Sequence, residues 1–350
     1  MPNQAALRAR KNLNPMGLFS RDLGIDLGTI FTRVASGGQV VMEEPTMAAI
    51  VIAEQKMVEW GTAAMNMYGR VPDTIEVTRP MINGVIAEYE ITENILREII
   101  RRLSSPLRLL GPHVMMSVPE GVTSVERRAV HEAALQAGAR EVYLIQQPLA
   151  AALGVDLPIG TPSGNMLLSL GAGTTQAAVL AMYGVVVGET LRKGGMQFDE
   201  SIISYVRKKY GLIIGQLTAE QVKINIGAAV PQDEERTMEI QGQDQVTGLP
   251  RPITLTTGEV VDAMEEPLQA IVETARKTLE RTPPELVSDI IDRGVALCGG
   301  GALLRGIDRL LTKELGVPAY LVDNPTTCVA EGAARGISLY PLIRRNLPAL

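Results

Sequence analysis

Apolar and polar positions alternate over residues 22–36, DLGIDLGTIFTRVAS, and again over 165–180, NMLLSLGAGTTQAAVL. Each stretch runs apolar, breaks at glycine beside threonine, and resumes, which predicts strand, turn, strand. The pair reads as a weak internal duplication and predicts two similar lobes. Elsewhere the period lengthens to that of a helix. Thr123-Ser124-Val125-Glu126 has capping-box spacing, with the Thr123 hydroxyl set to accept from the Glu126 N–H, and opens a helix that runs to Gly138. Leu268, Ile271, Val272, Ala275 and Leu279 fall on one face, predicting an amphipathic helix over about 259–281 that Pro283-Pro284 stops. Residues 200–212 and 218–227 are further helical stretches, and the short apolar runs 114–118 and 295–297 read as buried strands. Strands alternating with helices predict α/β layers.

Composition narrows the function. Of 350 residues 46% are hydrophobic and 21% charged, enough for a folded core, which the 3% aromatic content makes aliphatic. A net charge of −6 with few rings speaks against nucleic acid as a partner. The two cysteines and two histidines show no CxxC or HExxH spacing, which speaks against a zinc site, and Cys298 and Cys328 suit a reducing compartment. No apolar run reaches the length of a membrane span. Residues 1–19 carry Arg8, Arg10 and Lys11 and no acid, and lack the apolar stretch of a secretory signal. They read either as a polar extension or as a short basic helix.

Three glycine clusters carry candidate chemistry. Asp26-Leu27-Gly28-Thr29 ends the first strand of the first hairpin, Gly171-Ala172-Gly173-Thr174-Thr175 turns the second, and Gly299-Gly300-Gly301 follows the strand 295–297. Glycine lets backbone N–H groups approach an anion, and hydroxyls add donors. Asp26 is placed to hold Mg²⁺ through water. One such cluster is a tight turn; three on two half-similar lobes point to a nucleotide cleft.

The chain resembles the MreB family of bacterial actin homologues, over about residues 16–340. The resemblance rests on DLGIDLGT (22–29), RPMINGVIAEYEITE (79–93), VTSVERRAVHEAALQAGAREVYLI (122–145), VRKKYGLIIG (206–215), VTGLPRPI (246–253), ERTPPEL (280–286) and CGGGALLRGIDRLL (298–311). It implies an actin-like α/β ATPase fold of two lobes and four subdomains around ATP or ADP. Lobe I would comprise 20–160 and 325–350, with a small subdomain at about 46–90. Lobe II would comprise 161–324, with a small subdomain at about 200–255. Asp26, Gly28 and Thr29, followed by Ile30 and Phe31, match the first phosphate loop. Gly171, Gly173, Thr174 and Thr175 match the second. Glu220 and Lys223 fall in the adenosine-contacting helix, and Gly299, Gly300, Gly301 and Ala302 match the adenosine loop.

The departures from the family gather in that same cleft. Ser169 stands where the family usually has Asp, and Gln176 where it has Glu. Gln146-Gln147 replaces Glu-Glu, Met196 replaces Asp, and Ile30-Phe31 replaces Ala-Asn. Gln147, with Thr174 beside the phosphates, takes the place of the residue that orients the attacking water. An amide orients water but is a poorer proton acceptor than a carboxylate. The expectation is nucleotide binding with weakened Mg²⁺ affinity and at most slow hydrolysis, or a bound nucleotide that is not hydrolysed.

The resemblance also implies a self-assembling, membrane-associated cytoskeletal filament that organises cell-wall synthesis and shape, with cell-wall elongation and shape proteins as partners. It would be cytoplasmic and peripheral at the inner face of the membrane. Leu107, Leu109 and Leu110, near Arg101, Arg102 and Arg108, resemble a membrane-inserting loop, against the alternative that they fold back on the domain. The other functional reading is a regulatory pseudo-ATPase paralogue that binds nucleotide and modulates a more active relative. A small-molecule kinase ranks last, for want of an acid to activate an acceptor near the phosphate loops.

Overall fold

A computed structural model of the chain describes residues 22–104 and 111–347. The basic extension 1–19 and the loop leucines Leu107, Leu109 and Leu110 lie outside the described residues. The first half begins with three antiparallel strands, β1 (Leu23–Leu27), β2 (Phe31–Ser36) and β3 (Gln39–Pro45). A small sheet follows, β4 (Ala48–Val51), β5 (Lys56–Trp60) and β6 (Ile75–Thr78), with helix α1 (Thr62–Met67) between its last two strands. Then come a short hairpin, β7 (Met81–Ile82) and β8 (Val85–Ile86), and helix α2 (Tyr89–Leu103). The chain returns to the main sheet through β9 (His113–Val118), α3 (Ser124–Gln136), β10 (Glu141–Gln146) and α4 (Gln147–Gly154).

The second half repeats the plan. Strands β11 (Asn165–Leu170), β12 (Thr175–Ala181) and β13 (Gly184–Leu191) are antiparallel. An insertion holds α5 (Gly195–Tyr210), β14 (Leu212–Ile213), α6 (Gln216–Ile226), β15 (Thr237–Asp244) and β16 (Pro250–Thr256). Helices α7 (Thr257–Glu280) and α8 (Pro284–Arg293) precede β17 (Val295–Cys298), α9 (Ile307–Leu315) and β18 (Ala319–Leu321), and α10 (Cys328–Ile343) follows. The five-stranded sheets have orders β10-β9-β1-β2-β3 and β13-β12-β11-β17-β18. In each, three antiparallel strands are extended by two parallel ones. This is the duplication the two hairpins predict.

Element starts and stops follow local chemistry. The capping box at Thr123 and Glu126 is formed, and a second one, Thr256 with Glu259, starts α7 three residues ahead of Glu259. Pro283-Pro284 both ends α7 and begins α8, since proline suits a first helical turn. The helix expected over 200–212 starts earlier, at Gly195, and stops at Tyr210 where Gly211 turns left-handed at φ 63°. Its start is fixed from outside: the Gly195 and Met196 N–H groups donate to the carbonyls of Gly171 and Ala172, both at 2.9 Å. Those are two of the orphan donors at a helix start, satisfied by a loop that periodicity cannot see.

Each lobe has its own aliphatic core. Ile25, Ile95, Ile99, Val114 and Met116 anchor the first, and Leu168, Val179, Phe198, Ile202 and Ile271 the second. A third cluster joins them, in which Leu149, Ala150 and Leu153 of α4 and Val329 and Ala333 of α10 pack with Ile145, Leu167, Leu180 and Ala296 from both sheets. The layer between the lobes is therefore apolar and built on two helices, and the cleft opens in front of it.

Candidate functional site

The two hairpin turns are alike in their bonding. The Gly28 N–H donates to the Phe31 carbonyl at 3.1 Å, and the Gly171 N–H to the Thr174 carbonyl at 2.8 Å. They face each other across the gap between lobes. A Cβ on Gly173 would lie 2.5 Å from the Thr29 hydroxyl and 3.0 Å from the Asn83 Cα, so only glycine lets the lobes approach this closely. The Thr29 hydroxyl also accepts from the Gly84 N–H at 3.1 Å, which pins the β7–β8 turn over the first loop. Gly299, at φ 84°, turns the third loop against Leu170, whose carbonyl lies 2.4 Å from where a Cβ would be.

These loops line one cavity of about 440 Å³, a size suited to a small-molecule ligand. Asp26, Gly28, Thr29, Ile30 and Phe31 form one wall, with Gln147 and Ser169 behind. Gly171, Gly173 and Thr174 form the second wall. Glu220, Lys223, Gly299, Gly300 and Gly301 line the other end, among the apolar side chains Phe198, Ile224, Leu303, Leu304 and Val329. Two expected residues are not on the surface of the cavity. Thr175 is buried as the first residue of β12, where strand alternation turns it away from its neighbour Thr174. Ala302 is the buried residue of the turn Gly300–Leu303. Arg33 and Gly84 line the cavity without having been singled out from the sequence. A hairpin turn closed from Gly28 to Phe31 sets Arg33 opposite Asp26, so register could have found it.

At the back of the first loop lies a chain of polar side chains. Ser117 Oγ donates to Asp26 Oδ1 at 2.7 Å, and Gln147 Nε2 donates to the same oxygen at 3.2 Å. Gln147 Oε1 in turn accepts from Gln176 Nε2, and Gln176 Oε1 accepts from the Glu120 N–H at 2.8 Å. Gln147 belongs to α4 and Gln176 to β12, so the amide pair bridges the lobes. Two carboxylates facing each other here would repel unless one were protonated. Burial pushes the Asp26 carboxyl up, opposed by the Ser117 hydrogen bond, the Arg33 charge and the Gln147 amide. At the other end Lys223 Nζ bridges the Gly195 carbonyl at 3.0 Å and the buried carboxylate of Asp199 at 2.8 Å. Burial raises Asp199 to about 6, with Lys223 opposing the shift.

The donor set fits a resident Mg²⁺ poorly. Asp26 is the single acid among the described residues on the loop side of the cavity, the other lining acid being Glu220 beside Lys223. One Asp26 oxygen already takes two donors, Ser169 brings no charge, and Arg33 sits directly across the strand pair from Asp26. Mg²⁺ wants carboxylate and water oxygens in near-octahedral order, and a neighbouring guanidinium repels it.

Comparison with known proteins agrees with this architecture. A family model described as "MreB/Mbl protein" matches residues 20–342. The chain is 45% identical over 329 residues to the cell shape-determining protein MreB of Escherichia coli strain K12, covering 92% of this chain and 95% of that one. It is 44% identical over 334 residues to the cell shape-determining protein Mbl of Bacillus cereus, covering 95% of this chain and all of that one, 100%. Among solved structures, MreB 5 of Spiroplasma citri bound to AMPPNP superposes with a TM-score of 0.87 at 33% identity, over 94% of this chain and 99% of that one. The ADP-bound form of the same protein matches with a TM-score of 0.87, over 93% of this chain and 99% of that one.

Proposed function

The chain belongs to the MreB/Mbl family, and from that premise we propose that it binds ATP and ADP between its lobes and assembles with copies of itself into actin-like filaments that determine cell shape. The observation that carries this reading is the convergence of three glycine loops, from β1–β2, β11–β12 and the end of β17, on one cavity. In this reading Gly28–Phe31 and Gly171–Thr174 hold the polyphosphate, and Gly299–Gly301 with Glu220 and Lys223 hold the adenosine end. Thr175 and Ala302 shape their loops from behind. Lobe I takes 20–160 and 325–350, lobe II 161–324, each with its small insertion.

Hydrolysis is slow in this reading, because the residue beside the phosphates is an amide and not a base. The Gln147 nitrogen serves Asp26 and its oxygen accepts from Gln176, which leaves one N–H and one lone pair to orient a water but no carboxylate to take its proton. The same observation favours the second reading, a regulatory paralogue that binds nucleotide and modulates an active relative. The filament lies at the inner face of the cytoplasmic membrane, held by Leu107, Leu109 and Leu110 and by the basic extension, and works with cell-wall elongation and shape proteins. Each anchor alone is weak and a polymer multiplies it. Among the described residues no helix is long and apolar enough to cross a membrane.

Phosphate release and pelleting together test this. The wild type should pellet on its own with ATP while releasing little phosphate from Mg-ATP. A Ser169→Asp, Gln147→Glu double variant should turn over about tenfold faster or more, the scale of a restored general base. Equal rates would refute the argument from missing acids. Pelleting only in the presence of a relative would favour the modulator.

A further inference from the structure

A row of charged side chains crosses the first sheet on its cleft side. Register pairs Asp26 with Arg33 across β1 and β2, and Arg33 with Glu43 across β2 and β3. Residues paired this way share a face and lie within side-chain reach. Arg33 Nε donates to Glu43 Oε2 at 2.7 Å, and the guanidinium lies over the Phe31 ring, 5.1 Å from its centroid. The Arg33 side chain is only 16% exposed while that of Glu43 is 43% exposed. A solvated surface pair would leave both ends in water. Here the carboxylate reaches solvent and the cation is held inward, on the wall of the cavity. Its two Nη groups donate to no acceptor among the described residues. A guanidinium fixed at Nε and over a ring, with its outer edge free, is suited to bidentate capture of phosphate oxygens.

The loop end of the cavity thus holds one carboxylate and one enclosed guanidinium, where Mg²⁺ would want acids and no cation. We propose that Arg33 takes the place of a divalent metal in this cleft: clamped by Glu43 and Phe31, it binds the polyphosphate of a nucleoside di- or triphosphate directly, so that nucleotide enters without Mg²⁺. The inference rests on the nucleotide reading above and names the group that neutralises the phosphates. Lys223 cannot do the same work, because its ammonium is engaged with Asp199 and the Gly195 carbonyl at the far end.

Calorimetric titration of ATP and of ADP into the full chain, once in excess EDTA and once in excess MgCl₂, tests it. The wild type should bind in both buffers with affinities within about threefold, since the counter-charge is built in. Arg33→Leu should lose about tenfold or more in EDTA, and less in MgCl₂, where the metal can screen the phosphates. Arg33→Lys, which keeps the charge but loses the two-pronged donor, should fall between the wild type and Arg33→Gln in EDTA affinity. Ser169→Asp should shift the preference toward MgCl₂. Wild-type binding that needs Mg²⁺, or equal EDTA affinity in the Lys and Gln variants, would overturn the inference while leaving the nucleotide reading in place. No binding in either buffer would overturn both.

Discussion

Asp199 is a carboxylate enclosed by the fold, 1% exposed, whose immediate cation is Lys223 and whose wider field includes Glu220 and Arg79. Burial wins over the ion pair and lifts its pKa from 3.8 to about 6. The folded state therefore binds more protons than the unfolded chain between those values, and stability falls as pH rises through that window. Above about 6 the group is charged in both states and its contribution is level. Asp199→Asn should flatten the pH dependence of the urea midpoint between about 4 and 6. Asp26, which burial also raises, keeps a slope of the same sign in the variant. A variant whose slope matches the wild type would show that Asp199 titrates as an ordinary surface acid. Around Asp26 the partners are neutral: Ser117 and Gln147 donate to one carboxylate oxygen, and Gln176 donates to Gln147.

At the scale of elements, the lobes are joined by α4 and α10, two helices that touch backbone to backbone. A Cβ on Gly332 would lie 1.7 Å from the Ala150 carbonyl oxygen, and one on Gly154 would lie 2.0 Å from that of Cys328. Neither neighbour is a side chain that can swing aside, so the helices must part to admit even a methyl group. Gly332→Ala should cost on the order of 3 kcal/mol, the upper range for overpacking, seen as a lower urea midpoint at unchanged slope. A loss under about 1 kcal/mol would mean that the helices slide freely over each other. Elements of this kind differ in how far the sequence announces them. The hairpins at 22–36 and 165–180 were legible because an apolar run broken by glycine is a local signal, and the capping box at Thr123 is another. The start of α5 was not, because its first N–H groups are satisfied by Gly171 and Ala172 from a different strand pair. The loop glycines could be named from the sequence. Arg33 needed the β2 register, and the Gln147–Gln176 pair needed the closure of one lobe on the other. The partner of Lys223 is likewise a residue 24 positions away on another helix, which no spacing rule connects.

For the whole molecule, closure of the cleft is held at several places besides the α4–α10 layer. Thr190 Oγ1 donates to the Glu120 carbonyl at 2.8 Å, Arg192 pairs with Glu126 at 2.9 Å, and Gln176 ties Gln147 and the Glu120 N–H. On another side Arg79, beside the β7–β8 hairpin, reaches across to the second lobe. Its Nη1 donates to Gln216 Oε1 at 3.4 Å and lies 4.0 Å from Met196 Sδ. These are long contacts to neutral partners, so the latch is weak, about 0.5–1.5 kcal/mol for a hydrogen bond of this kind. A weak latch that bears on opening and not on folding should show itself in rates. Arg79→Ala should speed release of a fluorescent ADP analogue by about two- to tenfold, which is that energy expressed as a ratio. The unfolding midpoint should stay nearly unchanged, because each lobe keeps its own core. Met196→Asp offers the converse, since an acid at that place would turn a sulfur contact into an ion pair with Arg79 and slow release. If Arg79→Ala released nucleotide at the wild-type rate, the lobes would not separate along this edge. The opening would then have to run through Thr190, Arg192 and Gln176 on the other side, where the contacts are shorter and more numerous.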